Sequence, residues 1–361
     1  MAGSSASGLL EDLARDLREG AGRNPVYRRV LTELPAVLRG PAGARVAAAW
    51  ERRTFNAWFD RPRLLLGALR FDALEEGAAH PLWRALGPAA EPEAIDAAAL
   101  EAALGAERSR VWAALASRFV QTNETSRAVT WLWPAYLAGC DGGARPLALV
   151  DVGASAGLNL VADALPAPWT DELGAPVPVA RSPNVVARLG LDAAPLDLRS
   201  PEGTQWLRAL VWPGESARQE RLEAAIAAFR ALEPAGGGPV LERRSAREAP
   251  ARAEEVAREH EGALVLVLQT VVREYLGEAE GEEYDRGMEE WLLRSPAGEA
   301  AWLQLEHADE GATREWPSWI VARWREGDAV RAAMLARCGY HPLALLVNRE
   351  AVQGFTVAFR R

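Results

Sequence analysis

The sequence predicts an α/β protein: a doubly wound, mostly parallel sheet with an antiparallel end, preceded by an all-helical domain. Three observations carry this reading. From Leu9 to about Ala138, apolar residues recur at helical spacing in text rich in Ala, Leu, Arg and Glu, as in "RVAAAWERRTFNAWF" and "EAALGAERSRVWAALASRFV". At "GCDGGARPLALVDVG" a Gly/Pro/Asp break leads into the short apolar run Leu147 to Val152, the pattern of a strand buried on both faces. Beyond it, further apolar runs alternate with helical text, the signature of strands joined by crossover helices.

Taken in order, residues 1–8 are small and polar and read as a disordered start. Residues 9–140 form a helical lid and substrate domain, and residues 141–361 the α/β domain. The strands fall at Leu147 to Val152, Val185 to Leu191, Val240 to Arg243, Ala263 to Leu268 and Ala301 to Leu305. "RQERLEAAIAAFRAL" and "APARAEEVAREH" supply helices between them, and the Pro-rich "PAPWTDELGAPVPVARSPN" reads as an inserted loop or hairpin. The tail segments "WIVARWREGDAVRAAML" and "HPLALLVNREAVQGFTVAF" read as strands joined by short turns.

Composition removes several function classes. A formal charge of −9, with no basic run interleaved with aromatics, argues against a nucleic-acid partner. No apolar run has the length of a membrane span, and the first residues lack the basic-then-apolar pattern of a signal peptide, so the expected compartment is the cytoplasm. Two distant cysteines, Cys140 and Cys338, make no disulfide framework, and four histidines without ligand spacing predict no metal. Every basic side chain is arginine, which excludes Schiff-base and lysine-base mechanisms.

The segment "LVDVGASAGLNL" holds the central motif. Gly153-Ala154-Ser155-Ala156-Gly157 is a literal G-x-S-x-G, the pattern of a hydrolase nucleophile elbow. Nothing upstream reads as sheet, Asp151 puts a carboxylate where an oxyanion needs stabilisation, and no histidine sits in an evident late loop after an acid. Ser155 is therefore not read as a nucleophile. As a cofactor turn the segment explains more. Gly153 and Gly157 permit close backbone approach, a helix starting near Ala156 offers free N–H groups, and Asp151 can accept from a ligand amino group. Asp192 in "ARLGLDAAPLDL" ends the next strand, where ribose hydroxyls are bound in such folds.

"QTNETSR", "LVDVGASAGLNL", "LGLDAAPLDL" and "WLRALVWPGE" together resemble the bacterial domain-of-unknown-function family 2332 over most of the chain, from about Asn24 to His341. The resemblance implies a Rossmann-like, class I methyltransferase-type sheet with a helical domain over the pocket, and S-adenosylmethionine as cofactor. It places Asp151, Gly153, Ser155, Gly157, Asn159 and Asp192, with Ala154 inside the turn, along the cofactor cleft. Two departures weaken standard methyl transfer. The region after the third strand carries Arg244 and Ser245 instead of an adenine-binding acid. Where the family often has a histidine before T-x-V-x-x-Y-L, this chain has Gln269, which cannot take a proton.

Other candidates follow. "QTNE" groups Gln121, Thr122, Asn123 and Glu124, with Arg127 a turn later, as substrate-binding residues. "LQLEHADE" brings Glu306, His307 and Asp309 to the end of the fifth strand, at the ligand-binding edge of an open α/β sheet, with His307 the preferred base. Gln269 and Tyr275 complete the catalytic set. His80, His260 and His341 read as structural or exposed, and Trp131, Trp133, Trp206 and Trp212 as a possible aromatic wall. The leading expectation is methyl transfer from S-adenosylmethionine to a small molecule. The alternatives are a related enzyme that has lost that donor and performs an intramolecular displacement or cyclisation, and a non-catalytic subunit stabilising a partner chain. Homo- or hetero-oligomers stay open.

Overall fold

The computed structural model describes residues 6–360 apart from 56, 122–123, 234–235 and 308–311. The chain forms two compact units: residues 1–122 with 197–220, and residues 123–196 with 221–361. The sequence placed a single division at 140/141. Two segments depart from it, because 123–140 packs on the sheet and 197–220 packs among the helices. Ala6–Gly8 begin a helix and are not a disordered tail; residues 1–5 lie outside the described residues.

The helices in chain order are α1 (Ala6–Glu19), α2 (Pro25–Val37), α3 (Pro41–Trp50), α4 (Asp60–Glu76), α5 (Trp83–Leu86), α6 (Ala97–Ala103), α7 (Ser109–Ser117), α8 (Val129–Leu137), α9 (Pro201–Leu210), α10 (Ser216–Leu232), α11 (Ala249–Glu259), α12 (Glu278–Arg294) and α13 (Arg349–Phe359). In the first unit, α4 is the central helix, and residues Leu64 through Ala73 are all buried. Such all-round burial marks a helix enclosed by others. Gly67 admits α9: a Cβ there would come within 2.9 Å of Leu210 Cδ2. α2 starts on Asn24, whose side chain accepts from the Val26 and Tyr27 N–H groups, with Pro25 preset for the first turn.

The second unit holds a nine-stranded sheet: β1 (Leu147–Val152), β2 (Thr170–Asp171), β3 (Val185–Asp192), β4 (Val240–Arg243), β5 (Leu264–Thr270), β6 (Ala300–His307), β7 (Ser318–Glu326), β8 (Ala329–Cys338) and β9 (Ala344–Val347). Its order is β2-β9-β8-β7-β6-β5-β1-β3-β4. The run β6-β5-β1-β3-β4 is parallel; β7 is antiparallel to β6, β8 to β7 and β9 to β8, and the short edge strand β2 lies parallel to β9. Both halves match the doubly wound sheet with an antiparallel end expected from the sequence. The Pro-rich insertion is a tight hairpin whose two-residue strand β2 pairs with β9 at the far edge.

Two tail and turn readings are corrected. "REAVQGFTVAF" is helix α13, capped by the Asn348 side chain on Ala351 N–H, and buries Phe355 and Phe359. The segment after the glycine turn is a seven-residue 3₁₀ helix, Leu158–Ala164, where an α-helix was expected. One sheet face packs Leu149, Leu266, Leu268, Leu303 and Leu305 under α8 and α13. The other packs Val150, Val152, Val267 and Trp302 under α11 and α12. No helix among the described residues is long and apolar enough to cross a membrane.

Candidate functional site

Strand order reverses at β1: the chain runs from β1 through β3 to β4, then returns to β5 on the other side. The carboxyl ends of β1 and β5 therefore border the crevice where open α/β sheets bind ligands. Alternation sorts the polar residues at that edge between the two faces. Asp151, Thr270 and His307 share the face of Leu149, Leu268 and Leu305, whereas Gln269 and Glu306 share the face of Val267 and Trp302.

The glycine turn is closed on itself. Gly153, Ser155 and Gly157 all have positive φ, at 75°, 53° and 73°. Gly153 N and Ala154 N donate to Leu191 O, Ser155 N donates to Asp192 Oδ2, and Gly157 N donates to Ala154 O. Asp192 Oδ1 accepts from Ala194 N, so both oxygens of this acid hold the local backbone. The space beside the glycines is filled by protein: a Cβ on Gly153 would meet Val272 Cγ2 at 2.5 Å, and one on Gly157 would meet Leu241 Cδ2 at 2.9 Å. These glycines admit side chains of the same chain, and the free N–H groups expected near Ala156 belong to no α-helix. Ser155 shares positive φ with a nucleophile elbow, but its backbone is bound at both N and O, and its side chain is buried.

Asp151 is 1% exposed, and its Oδ2 has no hydrogen-bond partner. Burial, reinforced by Asp192, raises its carboxyl well above the usual range. Asn159 Oδ1, Thr130 Oγ1, Ser126 Oγ and Ser318 Oγ are likewise buried without partners. Ser126 and Thr130 lie on the segment covering this sheet face, and Trp131 Nε1 ties that segment to Asn159 O at 2.9 Å. Native interiors seldom leave such groups unsatisfied, so a row of them on one face marks a polar layer suited to a hydrogen-bonding molecule.

Gln269 and Glu306, expected among the catalytic residues, belong to a buried hydrogen-bonded knot on the other sheet face. Gln269 Nε2 donates to Glu306 Oε1 at 2.7 Å, while its own oxygen accepts from Tyr284 OH and Trp302 Nε1 at 2.7 and 2.9 Å. Glu306 also accepts from Val272 N and Arg273 N. An amide donates and accepts at once, which this knot requires. Burial raises the Glu306 carboxyl, opposed by these donors. The knot fixes the loop after β5, where Val271 has a positive φ of 57°. Tyr275 closes the 3₁₀ turn Arg273–Tyr275 and packs against the apolar face.

The chemistry gathers around His307. Its Nε2 lies 3.2 Å from Glu274 Oε2, and its ring packs against Tyr340 with centroids 4.5 Å apart. The side chain is 37% exposed. Arg127 Nε donates to Tyr340 O at 3.1 Å, fixing the loop that carries the tyrosine. On the same loop, His341 Nδ1 lies 3.8 Å from Glu124 Oε2. Buried Glu124 receives Arg221 through both carboxylate oxygens, and its Oε1 also accepts from Ser126 N. Two imidazole–glutamate pairs thus flank Tyr340. The loop carrying Tyr340 and His341 brings Glu124, Arg127 and His307 near one another, and His341, exposed as expected from the sequence, joins them. Glu274, Tyr340 and Arg221 were not singled out from the sequence. Gln121 belongs to the other unit, and Thr122, Asn123 and Asp309 lie outside the described residues. Of the four tryptophans, Trp131 and Trp133 are core of the sheet unit, and Trp206 is core of the helical unit, with half-buried Trp212.

In the helical unit, Asp72, Glu76 and His80 bring one ligand atom each within 4.8 Å of one another, a grouping not evident in the sequence. The tautomer opposes a metal. Leu82 N donates to His80 Nδ1, so the proton sits on Nε2, which lies 3.3 Å from Asp72 Oδ2. Arg108 and Arg110 also pair with these acids and supply the positive charge.

Residues 10–345 match the model of DUF2332, described as an uncharacterized protein conserved in bacteria. The chain belongs to that family. No curated protein matches this DUF2332 chain.

Proposed function

We propose that this DUF2332 chain is an enzyme that takes a proton from a small polar molecule at the carboxyl edge of its sheet, with His307 as the base. The 3.2 Å His307–Glu274 pair carries this reading. Glu274 draws the imidazole proton to Nε2, which leaves Nδ1 with the lone pair. Tyr340 restrains the ring, and the partial exposure of His307 gives a substrate access. In the proposed step the substrate X–H bond breaks, the proton passes to Nδ1, and the electron pair remains on the substrate. That pair is then available for displacement of a leaving group within the same molecule. The partnerless oxygens of Asp151, Asn159 and Thr130 supply hydrogen-bonding positions on the same face.

The parallel order β6-β5-β1-β3-β4 supports a methyltransferase-like origin for the sheet. The residues of the turn do not fit S-adenosylmethionine: the N–H groups of Gly153, Ala154, Ser155 and Gly157 are used internally, Val272 and Leu241 fill the glycine spaces, and both Asp192 oxygens hold backbone. No step is therefore assigned to that donor. The subunit reading calls for an exposed apolar patch on the Trp-rich helical half, but among the described residues Phe119 is the sole exposed large apolar side chain there.

The test is incubation of bacterial small-molecule extract with wild type and with His307→Gln, followed by mass spectrometry. The expected result is a compound rearranged, or stripped of a leaving group, by wild type alone. A product that gains one methyl group, or conversion that persists in the variant, contradicts the proposal.

A further inference from the structure

Arg70 lies within the enclosed stretch of α4 and is 7% exposed. Its Nε and Nη1 are shut off from solvent and have no hydrogen-bond partner. A guanidinium stays charged in a protein interior, unlike a carboxyl or an imidazole, so it cannot relieve burial by losing its proton. Other buried groups of this unit have charged counterparts: Asp72 faces His80 at 3.3 Å, Asp16 faces Arg63 at 3.8 Å, and Asp12 faces Arg61 at 2.6 Å. Among the described residues, Arg70 forms no ion pair.

The charges that act on Arg70 define its surroundings. Tyr27, Glu215 and Arg218 are the groups felt there. Glu215 is bound by Arg218 at 2.7 Å, so the carboxylate that acts on Arg70 is already engaged by another guanidinium. Burial pushes the Tyr27 hydroxyl up to about 12, which keeps it a neutral donor. The backbone around it is held without help from Arg70. Asn24 donates through Nδ2 to Pro213 O at 2.8 Å while capping α2, and the Tyr27 ring meets Trp212 edge-on at 6.0 Å. The setting therefore has an excess of positive charge, unsatisfied N–H groups and a fixed frame, the conditions under which arginine takes an oxyanion.

We infer that Arg70 holds the oxyanion group, carboxylate or phosphate, of a small molecule within the helical unit. The test uses the full chain at fixed ionic strength, replacing chloride stepwise by inorganic phosphate in one series and by acetate in another. The unfolding midpoint of the wild type is expected to rise saturably with at least one anion, and the more effective anion identifies the source. Arg70→Met is expected to lose that rise and to unfold at a higher temperature than wild type in chloride alone. Arg70→Lys keeps the charge but loses the planar fork, and guards against a methionine variant that fails to fold. It is expected to need about tenfold more anion for the same rise. Absence of a saturable rise in wild type, or an unchanged anion response in either variant, overturns the inference.

Discussion

The side-chain amide of Gln269 donates to Glu306 Oε1 across 2.7 Å, joining the carboxyl ends of two neighbouring parallel strands. The same amide oxygen accepts hydrogen bonds from Tyr284 OH and Trp302 Nε1, so three side chains depend on one residue. Replacing Gln269 by Leu strands a buried carboxyl, a phenol and an indole N–H. We expect a loss of about 3–5 kcal/mol in denaturant unfolding, as when one member of a buried polar network is removed. A loss below about 1 kcal/mol would show that the knot is not structural.

Asp151 gives a pH signature. Its carboxyl is raised by burial, so folding takes up a proton wherever the unfolded chain is ionised. The stabilising effect of that proton is complete below the unfolded value near 4 and is lost as pH rises toward the raised folded value, at about 1.4 kcal/mol per pH unit. Asp151→Asn removes the requirement. The stability of this variant relative to wild type should grow as pH rises above the unfolded value near 4, measured by urea unfolding. A difference that does not change with pH would contradict the burial of an otherwise unpaired acid.

His307 and Glu274 should separate by magnitude. Once a converted compound is in hand, His307→Gln is expected to lower kcat by roughly 10²–10⁴, the usual contribution of a positioned base. Glu274→Gln should lower it less, with recovery in Glu274→Asp, since the glutamate acts through the imidazole. Both side chains are partly exposed, so the midpoints of thermal unfolding should stay near wild type.

Gly153→Ala distinguishes packing from ligand approach. The residue has φ of 75°, and the added methyl would overlap Val272. Destabilisation of about 1–3 kcal/mol is expected from the backbone conformation together with the clash. Unchanged stability would mean that the space beside the glycine is open.

Much of the sheet was legible because buried strands are short apolar runs between breakers. Leu147 to Val152 and Val240 to Arg243 coincide with the observed strands. Helix α13 was misread because Val352, Phe355, Val357 and Phe359 look strand-like; the Asn348 cap was the overlooked signal. The attachment of α9 to the helical unit depends on Trp206 and Leu210 meeting Gly67, a contact that carries no local pattern. The site suffers from the same distance problem. His307 and Glu274 are separated along the chain by the whole of α12, and Arg127 reaches Tyr340 over 213 positions. The glycine turn was found in the sequence, but its letters do not tell whether Val272 or a ligand fills the gap it leaves.

The central claim is that this turn packs protein and serves no methyl donor. Calorimetric titration of the full chain with S-adenosylmethionine tests it most directly. No binding heat at millimolar ligand is the expected result; micromolar binding that Asp192→Asn abolishes without unfolding the chain would contradict the account.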